Sequence, residues 1–281
     1  MGSNVPVPRT GAYLGVRLDA ANVSGGGIPG TAEFKQLPAF NKLMGRPMAY
    51  IPIFLQFGKT LPLESLATAD GLGGIPLVEL NCSNVDAITA RTNDPYLTAL
   101  AKTIKAFGKP VFVRWYWEMN HRSHASKLCN GYGNGPGFIS AWRHIWRVFQ
   151  NVGADNISLV WCPGAAGDLG APYYPGDAYV DWIGGDAFLR DTPRKPDFRT
   201  LFDAWYAEWS GHGKPMMIGA TGAQAADQVK YLTDIQTLLP VNFPKIKALN
   251  YFDAWGNYGD FTLKAPGLAA FKTLANTPYF Q

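Results

Sequence analysis

Eight short apolar runs recur along the chain, and most of them are separated by segments with helical periodicity. The runs cover residues 13–19, 48–57, 75–81, 111–119, 157–163, 180–188, 215–221 and 246–255. They are nearly continuous in apolar residues rather than alternating, which is typical of parallel strands whose two faces are both covered. The pattern therefore predicts a parallel sheet of eight strands.

Helical periodicity predicts five of the connections between these strands. The helices are expected over residues 32–44, 94–107, 138–153, 198–211 and 225–239, and three are expected to end at Gly108, Gly153 and Gly211. Residues 164–179 contain too many glycines and prolines for a long helix. Eight strand–helix units in a chain of 281 residues predict an α/β protein, a single-domain (β/α)8 TIM barrel.

The composition fits one folded domain and excludes several classes of function. Apolar residues make up 47% of the chain and charged residues 16%, with a formal net charge of +4. No apolar run reaches the roughly 20 residues that span a bilayer, and Lys and Arg are scattered, so neither membrane nor nucleic acid is an expected partner. We assign residues 11–281 to the domain and residues 1–10 to an N-terminal extension, in which MGS resembles a vector-derived remnant.

Three cysteines, Cys82, Cys129 and Cys162, lie at or beyond the ends of predicted strands. Their spacing fits no zinc pattern. If the protein is exported, one disulfide and one free thiol are possible, with Cys82 and Cys129 as the preferred pair. The alternative is three small buried side chains.

Polar and aromatic side chains gather at the carboxyl ends of the predicted strands, where the active sites of TIM barrels lie. They are Asp19, Glu79, Asn81, Arg114, Tyr116, Glu118, Asn120, Trp161, Asp186, Phe188, Asp253 and Trp255. Strand alternation is expected to place Arg114, Tyr116, Glu118 and Asn120 on one face of strand four.

A structural ion pair between Arg114 and Glu118 is the simpler explanation for two charges on one strand, since buried charges are costly unless paired. The carboxylates, amides and indoles at the same rim favour a ligand site instead. Flat indole faces suit the C–H faces of sugar rings, while carboxylates and amides bind hydroxyl groups. We therefore predict a carbohydrate-binding site.

Other chemistries find little support in the motifs. There is no nucleophile elbow and no phosphate loop. His121 and His124 follow Glu118 closely, but two histidines in a loop are a weak metal signal. We expect neither a metal nor a cofactor.

Four segments resemble glycoside hydrolase family 26, a group of β-mannanases and related endo-glycanases. They are RWYWEMN (114–120), YYPGDAYVDWIGGDAF (173–188), KPMMIGATG (214–222) and YFDAW (251–255). The resemblance implies a retaining mechanism on a (β/α)8 barrel, with Glu118 as the acid/base. It places the nucleophilic glutamate at the end of strand seven, where this chain has Ala220. Strand alternation is expected to put Ile218 on the same face as Ala220.

Alanine at position 220 leaves several interpretations open, because its methyl group cannot attack an anomeric carbon. The chain could carry an introduced Glu→Ala change in an endo-acting hydrolase. It could also be a natural glycan-binding protein without catalysis, or use Asp186 or Asp253 as the nucleophile. A transglycosylase would carry the same residues as a hydrolase.

Two departures from the family pattern concern the sugar rather than the reaction. Trp117 stands where the family usually has a histidine, and residues 121–135 replace the segment that carries a tryptophan in the mannanases. These changes put mannan in doubt. We include Trp117 and His121 among the expected substrate-binding residues. We expect the substrate to be a polysaccharide or oligosaccharide, and the protein to be a secreted or extracytoplasmic monomer.

Overall fold

Eight parallel strands close into a barrel in the computed structural model of the chain. The structure describes residues 4–18, 31–190, 196–256 and 259–281, and only the backbone of residues 31–33. The strands are β1 (Tyr13–Leu18), β2 (Tyr50–Leu55), β3 (Ile75–Leu80), β4 (Val111–Trp115), β5 (Ile157–Trp161), β6 (Trp182–Leu189), β7 (Met216–Ala223) and β8 (Ile246–Asp253). Each strand pairs with the next in sequence, and β8 pairs with β1. The predicted (β/α)8 TIM barrel is confirmed.

Helices fill most of the connections between the strands. Those described are α1 (Thr31–Met44), α2 (Leu63–Gly71), α3 (Val85–Thr89), α4 (Asp94–Phe107), α5 (Gly135–Val152), α6 (Phe198–Trp209), α7 (Gln228–Asn242) and α8 (Ala265–Ala275). The five predicted helices are present with ends shifted by a few residues. The sequence pattern missed α2, α3 and α8, which are short, so periodicity is weak there. Between β5 and β6 the described backbone forms short 3-10 turns and no long helix, as predicted.

Glycine ends two of the predicted helices in the expected way. Gly108 and Gly153 adopt left-handed backbone angles, with φ of 74° and 68°. The prediction for Gly211 is wrong, because α6 ends at Trp209 and continues into a 3-10 turn. The left-handed residue there is Gly213, with φ of 70°.

Large apolar side chains fill the amino-terminal part of the barrel interior. Phe112 makes edge-to-face contacts with Tyr50 and Trp182, at ring-centroid distances of 6.0 and 5.1 Å. A larger apolar layer lies between the strands and the surrounding helices. The interior floor is therefore a packed core, and the open part of the barrel is confined to its carboxyl-terminal end.

A buried charged cluster lies above this floor and is built around Arg114. Its Nη2 donates to Glu79 Oε2 at 2.7 Å, and its Nη1 donates to both carboxylate oxygens of Asp186 at 2.9 and 3.0 Å. Arg114 and Glu79 are in register on adjacent strands, and all three residues are at most 4% exposed. One guanidinium thus compensates two buried carboxylates, each of which would be costly to bury alone.

A disulfide joins Cys82 to Cys129, as preferred from the sequence, and Cys162 is a free, buried thiol. The bond connects the segment after β3 to the long segment between β4 and α5. Within the described residues, no helix has the length and apolar character needed to cross a membrane.

Replacing Arg114 with methionine is expected to lower the free energy of unfolding by about 3–5 kcal/mol, because two buried carboxylates lose their counter-charge. Chemical denaturation followed by circular dichroism measures the change. Lys109→Met is the matched control, since it breaks the exposed 2.6 Å ion pair with Asp70. The control should lose less than about 1 kcal/mol. Equal losses in both variants would contradict the stabilising role of the cluster.

Candidate active site

Two adjoining pockets form a cleft at the carboxyl-terminal end of the barrel. Pocket A has a volume of about 260 Å³ and is lined by Arg17, Phe54, Glu79, Arg114, Trp117, Glu118, His124, Asp186, Phe188, Ala220, Asn250, Phe252, Gly256 and Phe261. Pocket B has a volume of about 460 Å³ and is lined by Glu118, Asn120, His121, Gly164, Ala165, Ala166, Gly167, Asp168, Asp186, Ala187, Phe188, Arg190 and Leu201. The shared residues Glu118, Asp186 and Phe188 mark the junction, so the two pockets form one elongated cleft.

The charged cluster forms the base of this cleft, and burial shapes its protonation. Burial raises the pKa of the Asp186 carboxyl, while the Arg114 guanidinium opposes the rise and Glu118 adds to it. Burial also raises the pKa of the Cys162 thiol, and Asp186 adds to that rise. Cys162 therefore stays protonated and can donate its S–H to Asp186 Oδ1, 3.1 Å away.

Position 220 reaches pocket A through an irregularity in β6 and β7. Ala220 pairs with Asp186, and the register shifts between Gly185 and Asp186. A second shift falls between Ile218 and Thr221, where β7 meets β8. The expectation that Ile218 and Ala220 share a face is wrong for this reason. Ile218 packs in the layer between strands and helices, whereas Ala220 lines pocket A.

Gly219 lets the strand carry residue 220 directly above the charged cluster. A Cβ at this position would lie 2.2 Å from Arg114 Nη1 and 2.6 Å from Asp186 Oδ1. No side chain can occupy that space without displacing the ion pair. Arg114 and Asp186 therefore lie directly against the backbone that presents Ala220.

Glu118 is presented by a turn rather than by a strand. β4 ends at Trp115, and both Tyr116 and Glu118 adopt left-handed backbone angles, with φ of 49° and 52°. The Glu118 N–H donates to the Cys162 carbonyl at 2.8 Å. Its Oε2 lies 3.1 Å from Nε2 of His124, and the residue is 9% exposed. The backbone thus turns the carboxyl into the junction of the two pockets.

The cleft brings together many of the residues singled out from the sequence. Pocket A contains Glu79, Arg114, Trp117, Glu118, Asp186, Phe188 and Ala220, and pocket B adds Asn120 and His121. Asn120 also holds the cleft wall together, because its side chain donates to the Gly164 carbonyl and to Asp168 Oδ1, at 3.1 and 2.8 Å.

The prediction that Tyr116 binds substrate does not match its position. Its side chain is fully buried, and its hydroxyl donates to the Cys129 carbonyl at 2.9 Å and accepts from the Gly131 N–H at 3.1 Å. The alternation expected for strand four fails because the strand has already ended. Tyr116 instead anchors the segment that follows Glu118.

Trp161 likewise lies outside the cleft. Its neighbours Val160 and Cys162 occupy the barrel interior, so strand alternation directs Trp161 outward. There its ring packs against Tyr174 and Trp209, at centroid distances of 4.8 and 4.7 Å. It is a core residue rather than a sugar platform.

Three further residues expected at the rim do not line either pocket. Asp253 accepts the Leu263 N–H at 2.7 Å, and Trp255 is 67% exposed on a short two-stranded sheet formed by β9 (Trp255–Gly256) and β10 (Gly259–Asp260). Asn81 is half-buried, one residue beyond β3. Asp19 lies outside the described residues.

Several residues that line pocket A were not expected from the sequence to bind substrate. They are Arg17, Phe54, His124, Asn250, Phe252, Gly256 and Phe261. The Arg17 guanidinium lies 3.6 Å from the centroid of the Phe54 ring. Arg17 and Phe54 each lie one residue before the end of their strand. Strand alternation extended to these positions would have identified them.

No group of three or more His, Cys, Asp or Glu side chains that could hold a metal is found in the part of the chain that the structure describes. The side chains that line the cleft supply carboxylates, guanidinium groups, two imidazoles and aromatic rings.

Curated relatives match part of the chain. A β-1,3-xylanase from a Vibrio species is 33% identical over 135 residues, which cover 46% of this chain and 26% of the relative. Endoglucanase H from Acetivibrio thermocellus is 25% identical over 179 residues, which cover 57% of this chain and 19% of the relative. The match thus spans about a quarter or less of the length of these relatives.

Solved structures match nearly the whole chain at low sequence identity. A family 26 β-mannanase from Bacteroides ovatus has a TM-score of 0.65 and 17% identity, with 97% of this chain and 90% of the mannanase covered. The structure of GH26C from a Muricauda species has a TM-score of 0.70 and 14% identity, with 97% and 87% covered. At these identities the structural match shows the fold alone.

The family follows from the extent of the family match. The model described as glycosyl hydrolase family 26 matches residues 93–260, which include β4 to β8 and the positions of Glu118 and Ala220. More than half of the chain is matched, so this chain belongs to glycosyl hydrolase family 26.

Proposed function

We propose that this chain has the active site of an endo-acting retaining glycoside hydrolase, with alanine at the position of the nucleophile. One observation carries the proposal: Glu118 and Ala220, from opposite sides of the barrel mouth, border the same pocket. Family membership supports glycosidic cleavage as the reaction class. The proposal assigns the acid/base role to Glu118 and the nucleophile position to residue 220.

A retaining reaction requires two carboxyl groups about 5–5.5 Å apart across the scissile bond. A carboxylate at position 220 would attack the anomeric carbon while Glu118 gives a proton to the leaving oxygen. Glu118 would then take a proton from water, whose oxygen displaces the carboxylate. The alanine methyl group has no lone pair, so the first step cannot occur in this chain.

The division of the cleft supports a direction for the bound glycan. Ala220 borders pocket A but not pocket B, while Glu118 borders both. The sugar that is attacked therefore belongs in pocket A, and the leaving part of the glycan belongs in pocket B. A cleft that accepts sugar on both sides of the cleavage point suits internal cleavage of a polysaccharide.

Asp186 and Asp253 are weaker candidates for the nucleophile. Both oxygens of Asp186 accept hydrogen bonds from Arg114, which reduces their availability for attack. Asp253 lines neither pocket. The geometry favours a supporting role for Asp186, in which the Arg114 cluster orients and stabilises the group at position 220.

The aromatic wall of pocket A supports a sugar ligand, because apolar rings stack on the C–H faces of pyranoses. Among possible glycans we rank β-1,3-xylan first, then β-glucans and β-mannan. The relative from a Vibrio species, which is 33% identical, is named a β-1,3-xylanase. In addition, Trp117 and residues 121–135 depart from the mannanase pattern.

The same alanine favours a second function, in which the chain binds glycan without cutting it. A transglycosylase would use the same carboxyls with a different acceptor.

The disulfide between Cys82 and Cys129 supports export, since disulfides persist in oxidising compartments. We retain the expectation of a secreted or extracytoplasmic monomer as part of the proposal.

Ala220→Glu is expected to produce hydrolysis of a β-linked polysaccharide with retention of configuration, because the nucleophile is restored. Proton NMR of the first-formed anomer measures the configuration, using β-1,3-xylan, β-glucans and β-mannan as substrates. Ala220→Gln is the matched control, since its amide has a similar volume but is a poor nucleophile. Inactivity of the glutamate variant on all three substrates, with the fold intact, would exclude the hydrolase.

Azide is expected to restore turnover of a 2,4-dinitrophenyl β-glycoside by the chain with Ala220. Azide would attack the anomeric carbon from the side of residue 220 and expel dinitrophenolate, which needs no proton. The product should be the α-glycosyl azide, identified by NMR. A β-glycosyl azide, or no azide product from a substrate that the glutamate variant hydrolyses, would argue against residue 220 as the nucleophile position.

Glu118→Gln in the Ala220→Glu background is expected to slow cleavage of the polysaccharide by about 10²–10⁴-fold. The kcat/KM for the dinitrophenyl glycoside should fall much less, because it reports formation of the glycosyl-enzyme, in which this leaving group does not need protonation. Steady-state kinetics on the two substrates gives the comparison. Equal losses on both would remove the acid/base role from Glu118.

A further inference from the structure

We propose that His124 is a positioning residue for Glu118, and that the Cys82–Cys129 disulfide keeps it there. The inference rests on the proposed function, because it concerns the group assigned as the acid/base. It gives a role to a residue that the sequence offered only as a weak metal signal, and it makes catalysis depend on a disulfide outside the cleft.

The contact between the two side chains is direct and partly shielded from water. His124 Nε2 lies 3.1 Å from Glu118 Oε2, and the two side chains are 21% and 11% exposed. Among the described residues, His124 is the hydrogen-bonding side chain that contacts the Glu118 carboxyl. Partial burial strengthens such a bond because water competes less for either partner.

The hydrogen bond from His124 also distinguishes the two carboxylate oxygens of Glu118. An Nε2–H that donates to Oε2 leaves Oε1 as the oxygen that carries the proton toward the glycosidic bond. Glu118 needs such a restraint because it stands on a turn with φ of 52°, beyond the end of β4, rather than on a regular strand. Other charged side chains of the described chain also line pocket A beside Glu118 and His124. They are Arg17, Glu79, Arg114 and Asp186.

The segment that carries His124 is held at both ends. At its start, a 3-10 turn over Arg122–His124 is capped by His121, whose Nδ1 accepts the Ser123 N–H at 3.3 Å. At its far end, the disulfide ties Cys129 to the segment after β3.

Tyr116 fastens the same far end from the inside. Its hydroxyl bonds to the Cys129 carbonyl and to the Gly131 N–H, at 2.9 and 3.1 Å. The residues between His124 and Cys129 are mostly exposed, so packing contributes little to their position. The disulfide and the Tyr116 hydroxyl therefore supply much of the restraint that places the imidazole beside Glu118.

The kinetic test uses His124→Ala and His124→Gln in the Ala220→Glu background. His124→Ala should lower kcat on the polysaccharide by about 10–100-fold, the equivalent of one hydrogen bond to a charged group. Its KM on the polysaccharide and its kcat/KM on the dinitrophenyl glycoside should change less than about threefold, since formation of the glycosyl-enzyme from the latter needs no proton. His124→Gln should recover part of the loss, because its amide can donate to the same oxygen. Equal losses on both substrates would overturn the positioning role.

Reduction tests the part of the proposal that concerns the disulfide. Dithiothreitol should impair the Ala220→Glu enzyme selectively on the polysaccharide, and the Cys82→Ser, Cys129→Ser double variant should show the same impairment without reductant. His124→Ala should show little further loss on reduction, because its restraint is already absent. A reductive loss of the same size in His124→Ala, or no loss in the enzyme with His124, would contradict the proposed coupling.

An inactive Ala220→Glu variant would count against the proposed function alone. The inference about His124 can then still be tested by structure determination. Crystal structures of the chain with Ala220, with and without His124→Ala, would locate the Glu118 carboxyl. We expect it to leave its present orientation when the imidazole is absent. An unchanged carboxyl in a folded His124→Ala chain would overturn the inference.

Discussion

The ion pairs that Arg114 makes with Glu79 and Asp186 are the interaction on which the cleft depends. Two carboxylates in a barrel interior would be costly without a counter-charge, and one guanidinium serves both. The cluster separates the apolar floor from the cleft. It also explains Gly219, since any side chain there would occupy the space of the guanidinium. The packing of charge thus determines the backbone of β7 just where residue 220 enters pocket A.

The two sides of the proposed reaction are supported in different ways. Position 220 belongs to a strand and rests on a buried ion cluster, which suits a group that must approach one carbon atom. Glu118 stands on a left-handed turn, held by its own N–H, by His124 and by a segment that Tyr116 and a disulfide fasten. A group that gives and then takes a proton can tolerate this arrangement only if its neighbours limit its rotation.

Much of the fold could be predicted because continuous apolar runs and helical periodicity are local signals. The short helix α3 escaped prediction because five residues carry too little periodicity. In the cleft, Glu79, Arg114, Glu118 and Asp186 were expected together, since strand ends converge at one rim of a barrel. Tyr116 and Trp161 were placed there by assuming that strands continue or face inward, and neither assumption holds. Arg17 and Phe54 escaped prediction because each lies one residue before the end of its strand.

The sequence by itself determined the barrel, the family resemblance and the absence of a nucleophilic side chain at position 220, because these depend on residue types and their spacing. Only the tertiary structure decided which side chains face the cleft. Register shifts beside Asp186 and Ala220 and left-handed angles at Tyr116 and Glu118 interrupt strand alternation, and such irregularities arise from packing between distant segments. The contact between His124 and Glu118 also depends on a disulfide that closes a separation of 47 residues.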